Sequence, residues 1–261
     1  MINHYKTIGI LLDVYAYNYA FKIASEWEDF PQQALYLLEL MKERRELNLD
    51  FLFENQRMAN LIENETDLKL YLNERIEEEQ IANYILDLEI KIKNGDVIDF
   101  VRAVSPILYR LFLRLIKSQI PNIDTYIIDA KNDQYDTWDF TKMQEADIPL
   151  FKDYLSKRQS RNVTSKSLAD LLQLSQLPVD IKEKVNQLRV FEKSVRNPLA
   201  HLIKAFDEEE LFRTTHFSSQ AFLDQIISLA LYSGVSYQRQ PFYCDQVNAV
   251  IMSYIANENK A

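Results

Sequence analysis

The sequence predicts an all-α protein, and three observations favour that fold class. Apolar residues recur at helical spacing along most of the 261 residues, of which 47% are hydrophobic. The chain has only three glycines, Gly9, Gly95 and Gly234, whereas sheet-rich folds need many turn glycines. These glycines are also isolated, which excludes the clustered glycines of a dinucleotide-binding fold. A chain of this length can form one large domain or two small ones.

The apolar pattern predicts a series of helices, beginning close to the N-terminus. They are expected over about 8–24, 31–53, 68–93, 97–119, 167–174, 179–195, 222–232 and 245–254. Pro31 falls in the first turn of the second helix, a position that proline favours. The acidic run 77–79 predicts a solvated face on the third helix.

The middle of the chain contains the clearest boundary and the least regular segments. Gly95 is predicted to end one helix, Asp96 to cap the next, and Pro106 to kink that strongly apolar core helix. The region 121–138 is the least helical, and 125–128 has the composition of a short strand. The polar, basic segment 157–166 is interpreted either as a solvated loop or as a flexible arm that contacts phosphate.

Composition excludes several kinds of protein. A single cysteine, Cys244, excludes an intrachain disulfide and a thiolate zinc cluster, and nothing favours an oxidising compartment. No charge-free apolar run approaches the roughly 20 residues of a membrane span, and the N-terminus does not resemble a signal peptide. We therefore expect a cytoplasmic protein without a membrane partner. The net charge of −9 disfavours indiscriminate nucleic-acid binding, so any such contact needs a local basic patch.

The most informative motif is the segment 196–201, which joins Arg196 and Asn197 to His201 through a proline. Asn197 is a good N-cap, and Pro198 suits the first position of a helix expected to run to about Phe206. Such a helix places His201 in its first turn, where backbone N–H groups favour anions such as phosphate. The alternative interpretation is a simple helix break with a capping asparagine and a partly buried histidine.

The few histidines limit the chemistry that the chain can perform. His4 lies near the terminus, and no pattern of histidines and carboxylates indicates a metal site. No nucleophile elbow is present, so a Ser-His-Asp mechanism is disfavoured. Acid–base catalysis by His201 beside the charge of Arg196 remains, and this pair suits metal-free RNA cleavage by the ribose 2′-OH.

The motif, within a glycine-poor helical chain, resembles the Arg-Asn-x-His-type motif of HEPN ribonucleases. More closely, it is similar to the HEPN domain of the CRISPR-associated ribonucleases that accompany type III interference complexes. This resemblance implies an all-α, HEPN-like helical bundle at 70–261, with an N-terminal helical extension at 1–69 packed on the core. It also implies that Arg196, Asn197 and His201 form the catalytic site.

The same resemblance implies a homodimer that cleaves single-stranded RNA in a composite cleft without metal or another cofactor. Full-length relatives carry a Rossmann-like sensor that binds cyclic oligoadenylate, and this chain begins directly in helices. A split or truncated gene product, or an expressed fragment, would begin in this way, and a separate sensor chain is a possible partner. Charge and proximity to the motif suggest further RNA contacts at Lys193, Lys204, Arg213, His216, Arg158 and Arg161.

Two other functions remain open from the sequence. One is a non-catalytic, HEPN-like helical module that serves dimerisation or a toxin–antitoxin interaction. The other is an unrelated all-α protein, such as a regulator, in which the motif is coincidental. Exposure of Arg196 and His201 together in a cleft at a two-fold interface would favour the enzyme over both.

Overall fold

A computed structural model describes residues 4–54, 56–129, 136–157, 160–196 and 205–258. The helices, numbered in chain order, are α1 (His4–Asp13), α2 (Tyr17–Ser25), α3 (Gln32–Arg45), α4 (Asp50–Glu54), α5 (Gln56–Thr66), α6 (Ile76–Lys93), α7 (Val97–Gln119), α8 (Phe140–Glu145), α9 (Pro149–Leu155), α10 (Ser165–Leu174), α11 (Val179–Phe191), α12 (Glu208–Thr215), α13 (Ser219–Tyr232) and α14 (Tyr243–Glu258). Shorter elements are a 3₁₀ turn (Ile123–Tyr126), strands β1 (Ile127–Ile128) and β2 (Thr137–Trp138), and a π-helical segment (Glu192–Arg196).

The predicted all-α class is confirmed, and the chain divides into two compact units. One unit comprises Met1–Ile90 with Val235–Ala261, and the other comprises Lys91–Gly234. The predicted boundary between 1–69 and 70–261 stays a prediction, since this division groups the last helix with the first ones. None of the described helices is long and apolar enough to cross a membrane.

In the first unit, two helices predicted as continuous are each broken by a residue with a left-handed backbone. Tyr15, with φ 56°, separates α1 from α2 within the predicted helix 8–24. Leu47, with φ 60°, separates α3 from α4 within the predicted helix 31–53. Apolar periodicity continues across both breaks because both turns bury apolar residues, so the pattern alone does not reveal them.

The predicted start of the third helix is wrong, because α6 begins at Ile76 rather than at Leu68. The Glu79 carboxylate accepts the backbone N–H groups of Leu72 and Asn73 at 2.9 Å and 2.8 Å. Its other oxygen binds the Arg44 guanidinium at 2.6 Å, and both side chains are buried. Glu79 thus holds the preceding segment outside the helix. The prediction that 77–79 form a solvated face is therefore wrong for Glu79.

The second unit is built on α7, whose predicted bounds Val97–Gln119 are confirmed. Gly95 has φ 76°, the left-handed conformation expected of a helix C-cap. Asp96 stands at the predicted N-cap position, but its side chain makes no capping hydrogen bond. The helix continues through Pro106, and α10, α13 and the π-helical segment pack against it.

Of the predicted strand 125–128, only Ile127–Ile128 is a strand, because the 3₁₀ turn extends to Tyr126, and this strand pairs with β2 beside the chain that leads to α10. Ile127 pairs with Trp138, whose side chain is fully buried. The backbone N–H of Trp138 donates to the carbonyl of Arg161 at 2.8 Å, and that of Val163 donates to Asp136 at 2.7 Å. The described part of the basic segment is therefore anchored before Thr164 caps α10.

Candidate functional site

Helix α11 precedes the motif in the chain, and one face of this helix is buried. Ile181, Val185 and Leu188 recur on that face at helical spacing and are buried. The helix packs against α10 and α13, and the ring centroids of Phe191 and Phe222 lie 3.5 Å apart. This packing fixes the end of α11 relative to the rest of its unit.

The chain does not continue as the predicted α-helix to Val195, but widens into the π-helical segment Glu192–Arg196. A π turn closes its hydrogen bonds one residue later than an α turn, and such turns are frequent at functional sites. The segment packs against α7, α11 and α12, and Val195 is buried. The backbone of Arg196 ends it. Asn197, His201 and Lys204 lie outside the described residues.

A buried carboxylate anchors the start of this segment. Glu192 is 7% exposed, and its Oε2 accepts hydrogen bonds from Ser165 Oγ at 2.6 Å and Arg189 Nη1 at 2.8 Å. Ser165 is the first residue of α10, so one carboxylate ties the π-helical segment to the beginning of a neighbouring helix. The backbone that reaches Arg196 is therefore fixed four residues before the motif.

The buried role of Glu192 was not predicted, although the sequence carries a signal for it. Glu192 occupies the next position of the apolar stripe formed by Ile181, Val185 and Leu188. A carboxylate on the buried face of a helix needs a charged or hydrogen-bonding partner. Arg189, three residues earlier, is the partner that helical spacing brings to it.

Three of the predicted RNA-contacting residues border the π-helical segment. Lys193 lies within it and is exposed. Arg213 and His216 are exposed on α12, which packs against the segment, and Arg213 forms an ion pair with Glu210. The structure thus places two cations and an imidazole on elements that adjoin Arg196.

His216 ends α12 in a left-handed conformation, with φ 59°. Its backbone N–H donates to the carbonyl of Phe212 at 2.7 Å, and its ring meets the Phe212 ring edge-on at 6.5 Å. Histidine is among the residues enriched in this conformation, although glycine is the usual choice at a helix end. The exposed imidazole is consequently held close to the end of α12.

The other predicted RNA contacts lie before α10. Arg161 is exposed, and its carbonyl is fixed by Trp138. Arg158 and Lys204 lie outside the described residues, so their role as RNA contacts stays a prediction. The same holds for Arg196, Asn197 and His201 as catalytic residues.

The part of the chain that the structure describes contains no group of three or more His, Cys, Asp or Glu side chains able to hold a metal ion. The expected absence of a catalytic metal stays a prediction. Burial raises the pKa of the Cys244 thiol to about 12, so this cysteine is a protonated core residue rather than a nucleophile.

The fold and this geometry define an all-helical domain whose motif follows an anchored π turn. A family model described as the Cas Csm6 HEPN domain matches residues 70–252, and the chain belongs to that family. The predicted resemblance to the HEPN domain of CRISPR-associated ribonucleases is thereby confirmed.

One solved structure is similar to the chain in fold. It is Enterococcus italicus Csm6 bound to cyclic hexa-2′-fluoro-hexa-dAMP, with a TM-score of 0.67 and 17% sequence identity. The match covers 96% of this chain and 56% of that Csm6 chain, so this chain spans little more than half of its relative. A search of curated protein sequences found no match.

We expect Glu192→Gln to lower the free energy of unfolding by about 1–3 kcal/mol, the usual cost of leaving a buried charged group without its partner. Urea unfolding followed by circular dichroism measures this change. Glu183→Gln is the matched control, because Glu183 is exposed on α11 and its loss should change stability by less than about 0.5 kcal/mol. Equal effects of the two substitutions would contradict the anchoring role of Glu192.

Proposed function

We propose that this chain is a metal-independent endoribonuclease that cleaves single-stranded RNA in CRISPR type III antiviral defence, in the cytoplasm. The observation that carries this proposal is the position of the motif. Its arginine ends a π turn anchored by Glu192, in a chain that belongs to the Csm6 HEPN family. The alternative, a non-catalytic dimerisation or toxin–antitoxin module, would keep the fold without needing this chemistry.

In the proposed reaction, the ribose 2′ oxygen attacks the adjacent phosphorus atom. His201 removes the 2′ proton as the general base, and the guanidinium of Arg196 stabilises the dianionic transition state. The bond between phosphorus and the 5′ oxygen breaks, and that oxygen takes a proton from a general acid. The products are a 2′,3′-cyclic phosphate and a 5′-OH. Asn197 positions the RNA or the histidine beside the reacting phosphate.

The RNA strand would be held by cations around the motif. Lys193, Arg213 and His216 are exposed on elements that adjoin Arg196, which supports their role as phosphate contacts. We assign the same role to Lys204, Arg158 and Arg161 from charge and sequence position. These cations would supply the local basic patch that RNA binding requires in a chain whose net charge is −9.

We further propose that two copies of the chain form one composite site. One histidine per motif supplies either the base or the acid, and a two-fold contact supplies both. Exposed apolar side chains adjoin the π-helical segment, since Val190 on α11 and Phe212 on α12 are each 54% exposed. Apolar groups exposed beside a predicted interface support a contact with a second copy.

A separate sensor chain is the proposed regulatory partner. The Enterococcus italicus Csm6 structure was solved bound to cyclic hexa-2′-fluoro-hexa-dAMP. We propose that a protein binding cyclic oligoadenylate associates with this chain and controls its nuclease activity.

We expect the purified chain to cleave labelled single-stranded RNA in the presence of EDTA. His201→Ala and Arg196→Ala should each lower the rate by about 10² or more, the usual scale for removing an acid–base group or a charge stabiliser. Mass spectrometry of the fragments should find 2′,3′-cyclic phosphate and 5′-OH ends.

Fragments with 3′-OH and 5′-phosphate ends, or activity restored only by Mg²⁺ or Mn²⁺, would refute this mechanism. An inactive wild-type chain that still dimerises, with or without cyclic oligoadenylate and its sensor, would favour the non-catalytic module. His4→Ala is the matched control, because it removes a histidine close to the N-terminus and should leave cleavage unchanged.

We expect light scattering over a concentration series to show a dimer, and RNA cleavage to follow the dimer fraction. Phe212→Asp should shift the equilibrium toward monomer by placing a carboxylate in the proposed contact. Val179→Asp is the matched control, since Val179 is 69% exposed at the opposite end of α11. A monomer with full activity would show that one motif suffices.

A further inference from the structure

An open pocket of about 420 Å³ lies at the beginning of α10, within the second unit. Its volume falls in the range of small-ligand pockets in proteins, roughly 300–1,000 Å³. Side chains that can contact an anion line it, namely Lys157, Ser160, Thr164, Lys166 and Gln173. None of these residues belongs to the motif.

The described lining of the pocket is basic, although the chain as a whole is acidic. Lys157 and Lys166 are exposed, and neither ammonium group forms an ion pair with any residue that the structure describes. Asp170 contributes one opposing carboxylate, so the described lining carries an excess of one positive charge. Against a net charge of −9, this local excess favours an anionic ligand.

The wall of the pocket is rigid on the side of α10. Thr164 Oγ1 accepts the backbone N–H of Ser167 at 3.2 Å, and Ser167 Oγ accepts that of Thr164 at 2.9 Å. The indole N–H of the buried Trp138 donates to the same Ser167 hydroxyl at 3.3 Å. A pocket with its polar groups already fixed loses little entropy when a ligand binds.

A hydrogen bond connects this wall to the segment that leads into the motif. Ser165, between the lining residues Thr164 and Lys166, donates to Glu192 at 2.6 Å. Glu192 begins the π-helical segment that ends at Arg196. The pocket therefore adjoins the residue at which the segment leading to Arg196 begins, in the same unit.

We propose that this pocket binds a phosphodiester group of single-stranded RNA beside the cleaved bond, which rests on the proposed ribonuclease function. Lys157 and Lys166 contact the phosphate oxygens, and Ser160 and Gln173 donate hydrogen bonds to the sugar–phosphate backbone. The described lining holds no aromatic side chain on which a base could stack, so the contact is independent of base identity.

The test measures RNA binding separately from cleavage. A fluorescent 2′-O-methyl oligonucleotide has no free 2′-OH to attack the phosphate, so wild-type protein binds it without cleaving it. Fluorescence anisotropy gives its Kd at salt concentrations from 50 to 200 mM. A plot of the logarithm of the association constant against the logarithm of salt concentration has a negative slope. Replacing both Lys157 and Lys166 with alanine should make this slope less steep by about 1.4, or about 0.7 for each lost phosphate contact.

The matched control replaces Lys142 and Lys152 with alanine. This change removes two exposed lysines from the same unit, each in a surface ion pair away from the pocket. Its salt slope should equal that of the wild type, and adenine-rich and uracil-rich oligonucleotides should give the same difference between variants.

An unchanged slope in the Lys157/Lys166 variant, or an equal decrease in the control, would overturn the pocket assignment. So would the absence of binding to the wild type. Failure of the nuclease proposal gives a different result. A chain that does not cleave RNA but shows the expected slope change would refute the nuclease and support the pocket. Active cleavage with no slope change keeps the nuclease and removes the pocket.

Discussion

The path of the chain up to Arg196 depends on the buried carboxylate of Glu192. Glu192 follows α11 directly and occupies the next position of its apolar face. Burial of a carboxylate without partners would cost free energy, but Ser165 and Arg189 donate hydrogen bonds to it. These contacts join the end of α11 to the beginning of α10, so the π-helical segment begins from a fixed point. Arg196 ends that segment, and α12 with Arg213 and His216 packs against it. The pocket at α10 is lined by Thr164 and Lys166, the two neighbours of Ser165 in the chain.

In the first unit, too, a buried carboxylate accepts hydrogen bonds near the end of a helix. Glu79 is buried, binds Arg44, and accepts two backbone N–H groups from the chain before α6. A carboxylate there replaces the hydrogen bonds that a longer helix would have made, so the segment stays non-helical. In both units, a buried acidic residue decides where a regular helix begins or gives way. Neither residue is separable from the many solvated carboxylates of an acidic chain by composition alone.

Much of the fold was predictable because it follows from local patterns. The strongly apolar α7 has its predicted bounds, and Gly95 takes the left-handed conformation expected of a C-cap. The breaks at Tyr15 and Leu47 were not predictable, since neither tyrosine nor leucine favours the left-handed conformation that each adopts. The motif was recognisable in the sequence, and its role as a site stays a prediction, whereas the buried carboxylate before it was not predicted. Glu192 was recognisable only as a polar residue on an apolar stripe, and its partner Ser165 lies 27 residues away.

The proposed role of Glu192 in positioning the motif is tested by single-turnover RNA cleavage with the Glu192→Gln variant. The rate constant is measured with excess enzyme, corrected for the folded fraction by circular dichroism, and compared with the Kd for a non-cleavable RNA. We expect a rate constant about 10²-fold lower with a nearly unchanged Kd, because a small displacement of a catalytic group has an effect of that size. A folded variant that cleaves RNA at the wild-type rate would contradict it.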